Sequence, residues 1–511
     1  MKTLRNDWKL GAAVGTALSL GSAGAIAGPH GFDLHNVLNG ASASFAGTSI
    51  AHVEDPVSAV FGNPATLTTY YGGTNFMFGA TFYMPRAQML HDGSAGFAVS
   101  ETAGTLTDRT GDNVNAGKAT LGSDLESGNN INTQYGFDSR SAQDVYAVPQ
   151  VAVTQDLSGL GIPVVLGVGV TATNGIGVDY QHTANTIGAA AELINLGVNA
   201  GIGMKMSDTL DVGVALTITY AMLEAGLTGS GSQKHDIGFR GTLGARKSMG
   251  NTTVGMYYQT ELEHQYQNLH VTSMNGEESA LTVATIGAGN IKCNGAPTAV
   301  CRQDLVIQQP WNIGLGIAHN LDANTLVMLD VTHKKWSDAK FFNEFYDDQN
   351  VISVGVQKTM GNLKLRAGYG YADDPLLSVV KPGVHVASIG GVDVNGHTYT
   401  SPMYGLFMSY FQAMETPVIY KHRITAGLGV ESFLGVPFLS LDSHIAFQLE
   451  EDKCFGSAQK GLGTSDGFYA ASTSGHALSA AGLSASGCTT EDHSKATVSS
   501  FHLGGALTWS F

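Results

Sequence analysis

Four basic side chains, spaced by even numbers along two predicted strands, are the residues of this sequence best suited to bind a charged ligand. They are Arg240 and Arg246 on one strand, and Lys364 and Arg366 on the other. Each pair shares one face, because side chains alternate between the two faces of a strand. A cation removed from water binds a carboxylate strongly, so the four are candidates for holding an acidic headgroup in the protein interior. The alternative is that they pair with acidic residues of neighbouring strands, namely Asp211, Asp442 and Glu450.

Motifs of catalysis and metal binding are absent from the sequence. There is no G-x-S-x-G, H-E-x-x-H or phosphate-binding loop, so we expect neither an enzyme nor a cofactor. The even number of cysteines permits disulfides in an exported protein, and spacing favours the pairs Cys293–Cys301 and Cys454–Cys488. No C-x-x-C is present, so no metal site is expected. The formal net charge of −16 argues against nucleic acid as a partner.

Strict alternation of apolar and polar residues is the dominant pattern after residue 73. The stretch "LDVGVALTITYA" (210–221), for example, has one apolar face and one face of small or polar residues. Pro149 interrupts the second such segment and predicts a bulge or kink, because proline cannot donate to a ladder. Fourteen segments alternate in this way: 74–85, 143–155, 162–175, 192–205, 209–223, 236–248, 251–265, 310–320, 324–335, 350–360, 363–373, 420–434, 437–450 and 496–511.

The connections between these segments alternate in length. Short turns, such as 249–251, 321–324 and 360–362, alternate along the chain with longer connections. The longest connections are 86–142, 266–309, 374–419 and 451–495. A transmembrane barrel has short turns at one end and long loops at the other, which a β-sandwich does not require. We therefore predict an all-β fold, a 14-stranded antiparallel transmembrane β-barrel over residues 73–511. Trp509 and Phe511 would face outward on the closing strand; a secreted all-β domain is the alternative.

Two segments precede the first predicted strand. Residues 1–27 combine a basic start with an apolar run that closes on Ala25-Ile26-Ala27, the pattern of a cleaved signal peptide. Residues 28–72 are rich in Ala, Gly and Ser and do not alternate. A barrel of fourteen strands is too wide to be filled by its own side chains. We therefore expect residues 28–72 to form an N-terminal hatch that plugs the lumen, with a periplasmic linker as the alternative.

The region from residue 30 to residue 67 resembles the hatch of the FadL/TodX family of outer-membrane transporters. The residues that carry the resemblance are Gly31 and Phe32, Ala46 and Gly47, Asp55, and Asn63-Pro64-Ala65. Further stretches that look like the family are 173–180, 309–338, 363–376 and 415–430. The resemblance therefore extends over most of the mature chain.

This resemblance implies a passive transporter for long-chain fatty acids or other hydrophobic small molecules, in the outer membrane of a Gram-negative bacterium and acting as a monomer. Ligand would be captured outside, bind in the lumen near the hatch and leave sideways through the barrel wall into the lipid. Phe32 would contact the ligand, and Asn63, Pro64 and Ala65 would form the hatch motif. Gly175 and Gly177 would mark the lateral opening, since glycine within a strand often marks a bend.

The apolar stretch 401–414 is a candidate for the outer groove that captures the ligand. Its candidate residues are Met403, Leu406, Phe407, Tyr410 and Phe411. The alternative is that they prolong the flanking strands. Two other functions stay open: a general aqueous porin, which would lack a plug, and an outer-membrane lipid hydrolase, because a serine–histidine pair could form among 17 histidines.

Overall fold

Fourteen long strands dominate the chain. The computed structural model describes residues 36–91, 137–142, 145–179, 190–225, 233–272, 301–344, 346–377, 419–456 and 492–511, with the short strands 386–387, 391–394 and 397–399. The long strands are β1 (Thr74–His91), β2 (Tyr146–Asp156), β3 (Val164–Asp179), β4 (Ala190–Lys205), β5 (Leu210–Ala225), β6 (Lys234–Met249), β7 (Thr252–Gln259), β8 (Asn312–Asp322), β9 (Thr325–Lys334), β10 (Gln349–Met360), β11 (Leu363–Ala372), β12 (His422–Val430), β13 (Leu439–Gly456) and β14 (Asp492–Ser510).

These strands form one closed antiparallel ring. Each pairs with its neighbours in chain order, and β1 closes the ring by pairing with both β14 and β2. The register of the closing pair sets Phe76 opposite Trp509 and Phe82 opposite Leu503. The predicted 14-stranded antiparallel barrel is therefore confirmed.

The two faces of the wall differ as the alternation predicts. On β5, Val214 and Leu216 are 45% and 48% exposed and point outward, whereas Ala215 and Thr217 are buried in the interior. The same outward apolar exposure recurs on most of the other strands, for example at Phe82, Ile317 and Val354. An exposed apolar belt around a polar interior suits a surrounding of lipid.

Short and long connections lie at opposite ends of the barrel, which we call the turn end and the loop end. The short turns 206–209, 250–251, 323–324 and 361–362 share the turn end with the start of β1 and the end of the chain. There Phe511 is 73% exposed, and its ring stacks on Phe438 at a centroid distance of 5.9 Å. Both terminal aromatic residues, Trp509 and Phe511, thus lie at the outer rim of the turn end.

Several strands run further toward the loop end than the alternation predicts. β1 ends at His91, β3 at Asp179 and β13 at Gly456, beyond the predicted ends at 85, 175 and 450. A two-stranded extension of residues 262–272 and 301–309 also continues the line of β7 and β8. Beyond the lipid belt the outward face no longer has to be apolar, so the alternation fades although the ladder continues.

Residues 36–72, here called the N-terminal segment, precede β1. They contain a 3-10 helix (Ser42–Phe45), the helix α1 (Pro56–Phe61) and a second 3-10 helix (Pro64–Tyr70). Every residue from 36 to 68 is buried, except for His52 and Glu54, which are half-buried. No helix in the described part of the chain is long and apolar enough to cross a membrane.

Inward glycines of the wall make room for this segment. A Cβ added to Gly213 of β5 would overlap the backbone of Pro64, and one added to Gly255 of β7 would overlap the carbonyl of Ile50. A second group of contacts is apolar, where Val57, Val60, Phe61 and Leu67 pack on residues such as Met77 of β1 and Val165 of β3. The inward glycines of the strands therefore allow the segment to lie close against the wall.

Candidate functional site: the lumen and a gap in the wall

Asp55 organises the N-terminal segment. Its carboxylate accepts hydrogen bonds from the amides of Ala41 (2.8 Å) and Ser42 (3.3 Å), at the start of the first 3-10 helix. It also caps α1 by accepting from the amide and the hydroxyl of Ser58, both at 2.8 Å. Burial raises the pKa of Asp55 to about 6, although the bonds from Ser58 and Ser42 oppose the shift. One side chain thus joins two helical pieces.

Polar side chains on the inner face of the wall form hydrogen bonds with the N-terminal segment. Asp330 of β9 accepts from the amides of Ser49 (2.7 Å) and Ile50 (3.0 Å). Asn199 of β4 donates to the carbonyl of Val60 at 2.5 Å. Other wall residues bonded to the segment are Thr81, Gln150, Thr171, Ser353 and Thr425. These bonds come from strands spread around the ring, so the segment is fastened at many points.

The triplet Asn63-Pro64-Ala65 is one of these fastening points. The side chain of Asn63 accepts from the amide of Ala65 at 3.1 Å and caps the second 3-10 helix, with Pro64 at its first position. The amide group of Asn63 donates to the carbonyl of Ala245 in β6 at 3.1 Å. The triplet therefore forms a structural turn that rests on the wall.

The candidate basic residues Arg246, Lys364 and Arg366 are ion-paired. Arg246 pairs with Asp211 at 2.7 Å, which was one of the alternatives open from the sequence. Lys364 and Arg366 both face Glu54 of the segment, at 2.7 Å and 3.5 Å. Arg366 also pairs with a wall carboxylate, that of Asp442.

Glu54 consequently keeps its charge. Burial opposes its ionisation, but a hydrogen bond with His52 and the nearby charges of His52, Lys364 and Arg366 outweigh the burial and hold the pKa of Glu54 below its ordinary value. A further bond comes from the amide of Gln357 at 3.2 Å. This cluster fastens the N-terminal segment to β10 and β11.

The fourth basic residue, Arg240, borders a cavity in the lumen. It donates to Gln259 at 3.1 Å and to the carbonyl of Pro310 at 2.9 Å. The cavity is lined by residues of the wall and the segment, including Asn39, Phe61, Thr171, Ala172, Thr173, Thr217, Thr219, Gln259 and Leu262. It therefore combines polar groups with two large apolar side chains.

The wall has a gap between β2 and β3. Among the described residues, the ladder that joins these strands stops at Gln150 and Thr171. Beyond that point β2 stays paired with β1 and β3 stays paired with β4. The unpaired stretch of β3, residues 172–178, is about 20 Å long at the usual rise of a strand. At the loop end the gap closes, where the amide of Ala142 donates to the carbonyl of Asp179 at 2.7 Å.

Local sequence accounts for this gap. Pro149, the residue of β2 next to the last ladder pair, has no N–H to donate. The register of β3 against β4 shifts between Ala172 and Asn174, which makes Thr173 the extra residue of a β-bulge. Gly175 and Gly177 follow in the stretch that lacks a partner on β2. The irregularity expected at Pro149 is thus the end of a ladder, and the bulge lies across from it in β3.

A serine–histidine pair does occur in the lumen. Ser500 Oγ lies 3.0 Å from His502 Nε2 on β14. Gln448 Oε1 accepts from the same hydroxyl and lies 3.4 Å from the same ring nitrogen. In a catalytic triad the third group holds Nδ1, on the other side of the imidazole. Here the serine hydroxyl donates its hydrogen bond to the oxygen of Gln448 and not to His502, so the geometry does not favour a hydrolase.

Among the inward cations that sequence reasoning missed is Arg423 of β12. Its side chain is completely buried, and Nη2 donates to the carbonyl of Val37 at 2.5 Å. The alternation in "HRITAG" places Arg423 on the same face as Thr425, so the period-two pattern could have found it.

Some predictions fall outside the described residues. They are the signal peptide 1–27, the first hatch residues with Phe32, the outer-groove residues Met403, Leu406, Phe407, Tyr410 and Phe411, and the cysteines Cys293 and Cys488. Cys454 at the loop end of β13 is disulfide-bonded. Among the described residues no group of three or more His, Cys, Asp or Glu side chains is arranged to hold a metal ion.

Comparison with known proteins identifies the fold. No protein-family model matches the chain, and no curated protein is similar to it in sequence. The toluene transporter TodX of Pseudomonas putida is 16% identical with a TM-score of 0.53, over 93% of this chain and 99% of TodX. A FadL homologue of Pseudomonas aeruginosa is 12% identical with a TM-score of 0.58, over 94% of this chain and 99% of that one.

The toluene transporter TbuX of Ralstonia pickettii gives a similar result, with 14% identity and a TM-score of 0.53 over 93% of this chain and 99% of TbuX. Identities this low establish the fold alone. The protein therefore has the fold of FadL/TodX-type outer-membrane transporters.

Proposed function

We propose that the protein is a passive transporter of hydrophobic small molecules across the outer membrane of a Gram-negative bacterium. Ligand enters the lumen from the loop end and leaves sideways, through the gap between β2 and β3, into the bilayer. The observation that carries the proposal is that the gap adjoins the lumen cavity. Thr171 and Thr173 border both of them. Residues 28–72 act as a hatch that blocks the straight path through the barrel.

The energetics of hydrocarbon transfer support this route. Each buried CH₂ group of a ligand contributes about 0.8 kcal/mol on leaving water, so capture from water is favourable. Passage from an interior site into the lipid core is nearly neutral, since both surroundings are apolar, and no energy source is needed. Unpaired backbone facing lipid costs several kcal/mol per group. We therefore infer that the unpaired backbone at the gap is kept because ligand passes there.

The similar structures support a hydrophobic cargo. TodX and TbuX are toluene transporters, and the Pseudomonas aeruginosa protein is a FadL homologue. The many bonds between wall and N-terminal segment argue against an open aqueous pore. The geometry at Ser500 and His502 likewise gives no support to a hydrolase.

Closing the gap tests the proposed route. Deleting Thr173 removes the bulge, and Pro149→Val restores an N–H on β2, so the two strands can pair along their length. We expect this variant to fold and bind ligand but to lose most of its uptake of a fluorescent long-chain alcohol by cells that lack other transporters.

A pair of tryptophan variants controls for general damage to the wall. Gly175→Trp obstructs the gap, whereas Gly241→Trp places the same ring on β6, where an added Cβ meets its nearest neighbour, Thr260, at 3.8 Å. Uptake should fall only in the first. Normal uptake in both Gly175→Trp and the gap-closing variant contradicts lateral release.

A further inference from the structure

Another cavity lies at the turn end, between the N-terminal segment and the wall. Its volume is about 270 Å³. A water molecule occupies about 30 Å³ in the liquid, so the cavity has room for an organic molecule of several heavy atoms. Its lining comes from the segment, from β11 to β14 and from the turn between β12 and β13. The cavity beside the gap is lined by different residues, so the two are separate sites.

Charged side chains of both signs line this cavity. The carboxylates are Glu54, Glu431 and Asp442, and the cations are Lys364 and Arg366. Lys364 pairs with Glu54 at 2.7 Å and with Glu431 at 2.9 Å. Arg366 pairs with Asp442 and with Glu54. Each cation thus already has two carboxylate partners, and three negative charges against two positive ones leave the lining with a formal charge of −1. The cavity therefore suits a positive ligand better than a negative one.

Two buried hydroxyls of the lining have no hydrogen-bond partner among the described residues. They are Tyr70 Oη of the segment and Thr508 Oγ1 of β14. Thr508 is only 6% exposed, so its hydroxyl is shielded from bulk water as well as unpaired within the protein. A buried polar group without a partner is unfavourable. An occupant of the cavity that forms hydrogen bonds would remove this cost at both hydroxyls.

Aromatic and aliphatic residues complete the lining. Tyr70 and Phe438 are aromatic, and Pro56, Pro437 and Leu439 are aliphatic. The face of an aromatic ring attracts a cation that lies within about 6 Å of its centroid, and aliphatic surface favours contact with hydrocarbon. The lining as a whole therefore matches a cation that carries a short apolar arm.

We propose that this cavity, here called the turn-end cavity, binds a small primary ammonium with a short apolar arm. An ammonium has three N–H donors and no acceptor, so the hydroxyls of Tyr70 and Thr508 accept from it while the carboxylates of the lining compensate its charge. Asp442 and Thr508 are buried on the inner face of the barrel. The ligand is therefore a soluble amine that enters from the turn end, and not a lipid headgroup outside the wall. This site goes beyond the proposed transport and does not depend on it.

Binding at the turn-end cavity is coupled to docking of the N-terminal segment. Glu54 both lines the cavity and fastens the segment to Lys364. Tyr70 ends the second 3-10 helix of the segment, whereas Thr508 belongs to the wall. An amine that bonds with both hydroxyls bridges segment and wall, so it should slow amide hydrogen exchange in the segment.

Affinities of the full-length protein in detergent test the site. The probes are butylammonium, butanol and butyrate, which share an apolar arm and differ in charge. His52 Nε2 lies 2.9 Å from Glu54 and is charged only when protonated, so the measurements are made at about pH 8, which favours a neutral imidazole. We expect butylammonium to bind about tenfold more tightly than butanol, because hydrogen bonds that involve a charged group are the stronger ones. Butyrate should bind more weakly than butanol.

Glu431→Gln removes one negative charge from the lining. The side chain of Glu431 is 55% exposed, so the variant should fold, and it should lose most of the preference for the ammonium over the alcohol. Asp322→Asn is the matched control. It removes a carboxylate of another turn at the same end, which is also 55% exposed and lies 3.6 Å from Lys358, and it should keep the preference.

The double variant Tyr70→Phe/Thr508→Val removes both hydroxyls and keeps the shape of the cavity. Its thermal stability should be kept or raised, because unpaired polar groups are replaced by apolar ones. Its affinity for butylammonium should fall, and the ligand should no longer slow exchange of the segment. Thr332→Val is the control, since Thr332 is an equally buried inward threonine of β9, 7% exposed. Equal binding of ammonium and alcohol by the wild type, or a preference that persists in both Glu431→Gln and the double variant, overturns the inference.

Discussion

Two adjacent carboxylates of the N-terminal segment have different roles because different groups face them. Asp55 is surrounded by N–H and O–H donors of the segment, which it holds together. Glu54 points the other way, toward Lys364 and Arg366 of the wall. One residue therefore shapes the segment and the next one fastens it to the barrel.

Glu54→Gln should loosen the segment without unfolding the barrel. It weakens the bonds to Lys364 and Arg366, and hydrogen bonds to a charged group contribute about 1.5–3 kcal/mol each. The expected result is faster amide hydrogen exchange in residues 36–72, with the exchange of the strands unchanged. Glu263→Gln is the control, because its ion pair with Lys340 is exposed and contributes little. Equal exchange of the segment in wild type and Glu54→Gln would contradict a fastening role.

The pH dependence of docking follows from the same residue. The folded pKa of Glu54 lies below its ordinary value of 4.5, so folding favours the ionised form. Such a group contributes stability above its unfolded pKa and loses it as the pH falls through the lower folded pKa. In the wild type, exchange of the segment, corrected for the intrinsic rate, should therefore accelerate as the pH falls below 4.5. Glu54→Gln should lack this acid-induced change.

At the scale of the element, the alternation of side chains located all fourteen strands but not the gap between two of them. A period of two reports which face a residue occupies, and it carries no information about which neighbour a backbone group bonds. Pro149 and the glycines after Thr173 were visible signals of irregularity. Their combined effect depends on the register of β2 against β3, which is a property of the folded pair.

The N-terminal segment shows a second limit of sequence reasoning. Its position in the lumen depends on contacts such as that between Ser49 and Asp330, which are far apart in the chain. Its short helices have no periodic pattern that could reveal them. The inward basic residues could be found from the alternation, but their ion pairs depend on which carboxylates the neighbouring strands bring close. Arg423 was visible in the same way, but its contact with the carbonyl of Val37 was not.

Amide exchange along β3 should reveal the gap directly. Residues 165–171 have ladder partners on both sides, whereas residues 172 and 174–178 are paired only with β4 and Thr173 is the bulged residue. In nanodiscs we therefore expect alternate amides of 172–178, those that point toward β2, to exchange much faster than the amides of 165–171. The gap-closing variant provides the comparison, since the same amides should become protected there. Uniform protection of the wild type from 165 to 178 would show that the wall is continuous.

At the scale of the whole molecule, a ring of fourteen strands encloses more space than its own side chains fill. In this protein the inward face carries many glycines and small polar residues, and the N-terminal segment occupies the space that they leave. The wall provides hydrogen bonds to the segment from strands spread around the ring. The barrel wall and residues 36–72 are therefore a single packed unit.

Removal of the segment should convert this packed unit into a pore. A variant that lacks residues 36–71 keeps every strand, and water can replace the hydrogen bonds that Asp330, Asn199 and the other wall residues lose. We expect the wild type to give almost no conductance in planar bilayers and the deletion variant to give large, stable openings. Glu54→Gln should fall between them, with brief openings that become more frequent as the segment loosens. A wild type that conducts like the deletion variant would favour a general porin, because a wide water-filled path would then exist beside the segment.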